Sequence, residues 1–260
     1  MQIPFYKYQG TGNDFVIIDQ RAEQYLKRGD YEIVQQMCNR RFGIGADGLI
    51  LLENHEVFDF KMIYFNADGH ESSMCGNGGR CIIAFAKYLA IIERTCTFLA
   101  IDGPHDGLIH NDGIVELKMS DVNGIQEVNG DFVLDTGSPH YIAMCKNVDD
   151  IDVVKEGQKI RYSEKFKKEG INVNFVERVE GELKVATYER GVENETLSCG
   201  TGVTAAALAY AQDKTIDAIN IQSKGGPLRI KFEKTEEGGF ENIWLCGPAE
   251  KVFKGDFLIK

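Results

Sequence analysis

The chain has 260 residues, 43% of them apolar, and a formal net charge of -11. That is ample for one large core or two modest ones, and no window approaches the roughly 18 uninterrupted apolar residues of a membrane helix. The acidic balance argues against nucleic acid, which needs a basic face, yet leaves room for a small anion held by one arginine and a few backbone N–H groups.

The opening segment, "MQIPFYKYQGTGNDF", has neither a basic start nor a long apolar run, so no secretory signal is read and a cytoplasmic location is expected. Further along, short segments alternate in the manner of strands: "DFVIID", "LILLE", "FKMIYF", "TFLAID", "IVELKM", "LKVATY", "LRIKFE" and "IWLCG". Turns rich in Gly, Asn and Asp separate them. Three stretches read as helix: Tyr31 to Arg41, about Gly78 to Leu89, and about Gly202 to Gln212. The last two are apolar around nearly their whole circumference, which marks a buried helix. The pattern is α+β and strand-dominated.

The two halves resemble each other. "MCGNG" carries Cys75 and "SCGTG" carries Cys199, 124 positions on. "GTGNDFVI" and "DTGSPHYI" align Gly12 with Gly137, and "GADGLI" and "GINVNF" align Gly45 with Gly170, each pair 125 apart. Three matches in one order at nearly one spacing indicate a duplicated domain. The expected division is residues 1–118 with 251–260 as one lobe and 119–250 as the other, the closing "KVFKGDFLIK" returning as a strand to the first.

Seven cysteines without a secretory signal are read as free thiols, and no His/Cys cluster has the spacing of a metal site, so no metal is expected. Cys38, Cys81, Cys96, Cys145 and Cys246 are expected mostly as small core residues. Cys75 and Cys199 differ, because each stands just before glycines that open an apolar helix. The first turn of a helix carries unsatisfied N–H donors and a partial positive charge, which suits a carboxylate and favours thiolate over thiol. The dipole alone is worth about 1 kcal/mol, so other groups must contribute. Two such cysteines facing one ligand suit removal of a proton from one face of a stereocentre and return of another to the opposite face. No cofactor is called for. The G-x-G-x-x-G in "RFGIGADGL" precedes the strand "LILLE" rather than a helix, so it is not a nucleotide loop.

These segments resemble the diaminopimelate epimerase family, within the broader group of cofactor-independent epimerases and racemases with two cysteines. The resemblance runs through "GTGNDFVIID", "RFGIGADGLILL", "FNADGHESSMCGNGGRC", "GSPHYI", "GINVNF", "YERGVENETLSCGTG", "GGPLRI" and "GPAEKVF". It implies two pseudo-symmetric domains, each a curled, mostly antiparallel sheet around a central helix, with the active site in the cleft between them. It implies interconversion of LL- and meso-diaminopimelate, a small-molecule substrate, no cofactor, and a possible homodimer. By motif, Cys75 and Cys199 are the acid/base pair. Gly76, Asn77, Gly200 and Thr201 present donors to the carboxylate at the reacting centre, and Asn13, Asn66, Asn172 and Arg190 bind the rest. His140 and Glu189 form the polar pair that positions the reacting amino acid and supports proton movement. Thr201 also reads as a possible helix cap.

Two positions depart from the family pattern: Gly48 where Gln is frequent, and Ser138 where Asn is frequent. They keep open a related racemase acting on another amino acid. Asn77 argues against a proline-racemase-like enzyme, which often carries His there.

Overall fold

The computed structural model describes residues 2–259. The chain divides into two compact units, Met1–Leu117 with Gly247–Lys260, and Lys118–Cys246.

The first unit is built from β1 (Gln2–Gly10), β2 (Asn13–Asp19), α1 (Tyr31–Cys38), β3 (Gly48–Glu53), β4 (Phe60–Asn66), α2 (Gly76–Tyr88), β5 (Thr95–Ala100), β6 (Gly103–Ile109) and β7 (Ile114–Lys118). Thr11 and Gly12, at φ +50° and +83°, make the two-residue hairpin turn from β1 into β2. β2 then runs parallel to β3, β3 antiparallel to β4, β4 parallel to β5, and β5, β6 and β7 antiparallel in succession. α2 packs on β1, β2 and β3 and also on β6, so the sheet curls around it. Gly76 through Ala86 are all buried, including the full side chain of Arg80. Its guanidinium donates from Nη2 to the Thr11 hydroxyl at 3.1 Å and from Nη1 to the Gly76 carbonyl at 3.5 Å.

The second unit repeats this plan with β8 (Gln126–Val128), β9 (Asp131–Asp135), β10 (Pro139–Cys145), α3 (Val153–Arg161), β11 (Asn172–Val179), β12 (Glu182–Glu189), β13 (Asn194–Thr196), α4 (Gly200–Ala211), β14 (Ala218–Ser223), β15 (Gly226–Lys234) and β16 (Phe240–Pro248). β9 and β10 are antiparallel, β10 and β11 parallel, β11 and β12 antiparallel, β12 and β14 parallel, and β14, β15 and β16 antiparallel. α4 packs on β9 through β12 and on β14 and β15. The aligned glycines adopt one backbone state: Gly12 and Gly137 have φ +83° and +99°, Gly45 and Gly170 +83° and +77°. An L-residue resists that conformation, so the repeated glycines mark repeated turns. The last strand, β17 (Glu250–Leu258), pairs antiparallel with β1.

Three helix boundaries differ from expectation. α1 stops at Cys38 rather than Arg41, because the Asn39 side chain accepts from the N–H groups of Arg41 and Phe42, both at 2.9 Å, and turns the chain out of the helix. α2 and α4 begin at Gly76 and Gly200, two residues earlier than their sequence suggests, each capped by its cysteine. α3 was not expected at all. Its sequence, "VVKEGQKIR", is charged and has an internal glycine, both poor helix signals. Asp152 caps it by accepting from the Lys155 N–H at 3.1 Å, and it occupies the place in the second unit that α1 occupies in the first.

The internal glycine has a packing reason. A Cβ on Gly157 would lie 2.5 Å from Cβ and 2.6 Å from Cγ of Tyr188, a residue with no exposed surface. At an exposed helical site Gly→Ala stabilises by about 0.5–1 kcal/mol, whereas overpacking costs about 1–3 kcal/mol. Gly157→Ala is therefore expected to lower the urea midpoint; an unchanged or raised midpoint would refute this account of the contact.

Candidate active site

Cys75 and Cys199 hold the same structural post. Each is the N-cap of the buried helix of its unit, with extended backbone (φ -93°, ψ 128° and φ -118°, ψ 111°). The first ladder bonds close from Gly79 N–H to the Cys75 carbonyl at 2.7 Å and from Val203 N–H to the Cys199 carbonyl at 2.9 Å. The amides of the first turn lie ahead of these bonds, at the helix end that each cysteine caps. Gly76, Asn77, Gly200 and Thr201 supply them. The other cysteines are of a different kind: burial pushes the thiols of Cys38, Cys81 and Cys96 up to about 12, which makes them inert packing groups.

In the first unit Asn13, the residue after the hairpin turn, lies beside Cys75. Its Nδ2 donates to an Asp47 carboxylate oxygen at 2.6 Å, which fixes the amide so that Oδ1 faces the other way. That Oδ1 accepts from Asn77 Nδ2 at 3.2 Å and lies 3.5 Å from the Cys75 sulfur. An oxygen in this position accepts from a thiol and repels a thiolate. Asp47 is held by Arg40, which also forks onto Asp14 at 3.0 and 2.7 Å. Lys7 bonds both Asp14, at 2.7 Å, and the Gly45 carbonyl. Burial pushes Asp14 up, but hydrogen bonds and charge from Arg40 and Lys7 outweigh it and bring the carboxyl down to about 2. Asn66 is exposed at the end of β4, directly opposite Gly48.

In the second unit the sulfur meets the opposite polarity. Asn174 Nδ2 donates to the Tyr141 carbonyl, an acceptor only, at 3.2 Å, which fixes the amide. Its Oδ1 then accepts from the Thr187 hydroxyl at 2.8 Å, and Nδ2 also faces His140 Nδ1 at 3.0 Å. Nδ1 must then accept, and the neutral imidazole carries its proton on Nε2. Nε2 donates to the Thr201 hydroxyl at 2.9 Å, which leaves the hydroxyl proton available to the Cys199 sulfur 3.5 Å away. Asn172 Nδ2 also lies 3.5 Å from Nε2, but there two donors face each other and no bond results. His140 is wholly buried; burial and the nearby charge of Arg190 lower its pKa to about 3, so the ring is neutral.

Asn172 is a bracket. Its Nδ2 donates to Ser138 Oγ at 3.0 Å and the Pro139 carbonyl at 3.3 Å, while its Oδ1 accepts from the Arg190 N–H at 2.8 Å. The exposed Arg190 guanidinium donates to the Glu169 carbonyl at 3.0 Å and to Ser138 Oγ at 3.4 Å. Ser138 thus serves as an acceptor for both residues. Glu189 lies at the end of β12, adjacent to Arg190 in the chain. Thr201 is not the cap of α4; Cys199 is, and Thr201 stands one position into the helix, where its carbonyl accepts from Thr136 Oγ1 at 2.9 Å.

The structure therefore gathers Cys75, Asn13, Asn77 and Gly76 in one unit, and Cys199, Thr201, His140, Asn172 and Arg190 in the other. It adds Asp47, Arg40 and Asn174, which the sequence reading missed. Asn174 had a legible signal, since it stands two residues beyond Asn172 and so on the same strand face, and asparagine is depleted in strands. Asp47 and Arg40 had none, because only the fold brings them to residue 13.

The family model described as diaminopimelate epimerase matches residues 5–123 and 132–252, once over each half of the chain. The diaminopimelate epimerase of Flavobacterium psychrophilum is 50% identical over 252 residues, covering 96% of this chain and 98% of its own. That of Chlorobaculum tepidum is 43% identical over 262 residues, covering 96% and 99%. Among solved structures, a phenazine biosynthesis protein of the PhzF family from Bacillus anthracis superposes with a TM-score of 0.80 at 16% identity, covering all of both chains. A hydroxyproline epimerase from Agrobacterium vitis gives 0.69 at 11% identity, covering 98% of this chain and 92% of that one. The two structures share the fold alone, while the sequence matches carry more: the chain belongs to the diaminopimelate epimerase family of isomerases.

Proposed function

We propose that this protein interconverts LL- and meso-diaminopimelate by a two-base reaction in which Cys75 and Cys199 are the acid/base pair. A thiolate takes the α-proton and becomes a thiol. The electron pair left on carbon spreads into the adjacent carboxylate, and the other thiol returns its proton to the opposite face and becomes a thiolate. Protons and charge balance with no cofactor. The observation that carries the reading is the repeated N-cap cysteine. Each sulfur stands where the amides of Gly76 and Asn77, or of Gly200 and Thr201, would bind the carboxylate and stabilise the charge it gains. Asn13, Asn66 and Arg190 are assigned to the remaining polar groups of the substrate, with Asn172 orienting Arg190. Glu189, beside Arg190, is assigned with His140 to support of the proton transfers.

The hydrogen-bond polarity at the two sulfurs supports unequal resting states. Asn13 presents an acceptor to Cys75, which favours its thiol; Thr201 presents a donor to Cys199, which favours its thiolate. His140 acts as a neutral donor relay that aligns Thr201. Glycine at 48 and serine at 138 are the features a related racemase with another substrate would rest on, and assays with diaminopimelate, proline and histidine separate the two.

In deuterium oxide the substrate α-proton should wash out. Cys75→Ala and Cys199→Ala should each cost at least about 10²–10⁴-fold in epimerisation, the usual worth of a positioned acid or base. Near-full turnover by either variant would refute the two-thiol mechanism. Iodoacetamide labelling read by peptide mass spectrometry should modify Cys199 at lower pH than Cys75, and Thr201→Val should raise the labelling pKa of Cys199. Equal profiles for the two cysteines would remove the polarity assignment. His140 also sets a pH dependence of stability. Its folded pKa lies below the ordinary value of about 6.5, so the unfolded chain binds the extra proton first on acidification. Stability is fully present above pH 6.5 and is lost as pH falls toward about 3, with a slope of up to about 1.4 kcal/mol per pH unit. His140→Gln should flatten that slope in urea titrations at pH 4.5–7, and an unaltered slope would exclude His140 as its source.

A further inference from the structure

Gly48 opens β3 without room for any side chain. A Cβ there would lie 2.5 Å from Cε2 and 2.9 Å from the hydroxyl oxygen of Tyr64, and 2.6 Å from the Phe65 carbonyl oxygen. The phenol of Tyr64 occupies the volume that a residue at position 48 would otherwise fill.

Strand register locates that volume. Gly48 is paired with Phe15 on one side and Asn66 on the other. Alternation puts Asn13 and Phe15 of β2 on one face with Gly48, and Tyr64 and Asn66 of β4 on that same face. The Tyr64 ring meets the Phe15 ring edge-on at 6.0 Å between centroids. The first turn of α2 covers this face, since a Cβ on Gly78 would lie 3.3 Å from Ile50 Cδ1 and 3.5 Å from both Met62 Cε and Phe15 Cε1. Ser72, three residues before Cys75, donates its N–H to the Tyr64 carbonyl at 3.0 Å. The phenol thus stands in the row from Asn13 through Gly48 to Asn66, beside the start of α2.

We propose that Tyr64 is a further substrate-contacting residue, its hydroxyl hydrogen-bonding a charged group of the amino-acid substrate, and that Gly48 is the residue that makes room for it. The proposal rests on the reading of Cys75, Asn13 and Asn66 as the site. A phenol can donate to a carboxylate and accept from an ammonium group, so it serves either end of such a substrate. The departure at position 48 then changes which strand supplies the polar group, from β3 to β4, without removing that group.

The test is steady-state kinetics on diaminopimelate with wild type, Tyr64→Phe, Tyr64→Ala and Gly48→Gln, with thermal melts as the folding control. Tyr64→Phe keeps the ring and its packing, so it should raise KM about 3- to 10-fold with kcat little changed, the signature of a lost binding contact. Gly48→Gln should lose activity, because its Cβ would meet both the Tyr64 ring and the Phe65 carbonyl oxygen. A KM for Tyr64→Phe within twofold of wild type, or undiminished activity in Gly48→Gln, would overturn the proposal. Wild type that fails to turn over diaminopimelate would sink the functional reading and Tyr64 with it; an active wild type with an indifferent Tyr64→Phe sinks Tyr64 alone.

Discussion

A helix buried along most of its length must still do something with the amides of its first turn. In each unit here those amides stand behind a cysteine at the N-cap, and the surrounding sheet exists to bury the helix and hold that end in place. The glycines that follow the cysteine keep side chains away from the turn. Asn77 and Thr201 add side chains that bond within their own units, to Asn13 and His140. The helix dipole is a weak term, about 1 kcal/mol, and does not distinguish one sulfur from the other.

The distinction comes from hydrogen-bond direction. Both sulfurs have a short polar side chain at 3.5 Å, an asparagine oxygen at Cys75 and a threonine hydroxyl at Cys199. Each is oriented from behind by a group that cannot reverse its role. Asp47, an acceptor, forces the Asn13 amide to turn its oxygen toward Cys75. The Tyr141 carbonyl, also an acceptor only, fixes Asn174, Asn174 fixes the imidazole tautomer, and the imidazole meets the Thr201 hydroxyl as a donor. A duplicated framework therefore delivers two copies of one cysteine post with opposite surroundings, which is what a reaction needing an acid and a base at once requires.

Ser138 and Gly48 have local physical explanations. Ser138 accepts from both Asn172 and Arg190, so a short hydroxyl ties the strand start to the arginine. Gly48 is required by the ring of Tyr64 and the carbonyl oxygen of Phe65. Gly157 follows the same logic in the scaffold: a glycine in the middle of α3 reads as a helix breaker and is instead the space that Tyr188 needs.

Much of this was legible in the residues. Alternation identified the strands, the apolar circumference of the two glycine-led segments identified the buried helices, and the spacing of Cys75 to Cys199, Gly12 to Gly137 and Gly45 to Gly170 announced the duplication, because these features are local or periodic. α3 was hidden by its charge and its glycine, although its place in the repeat pointed to it. By itself the sequence determined two similar strand-rich units, each with a cysteine at the mouth of an apolar helix. Only the tertiary structure decided that Asp47 turns Asn13, that Asn174 sets the tautomer of His140, and that Tyr64 lies over Gly48. Those pairings depend on strand register and on contacts between residues distant in the chain, and neither composition nor spacing encodes them.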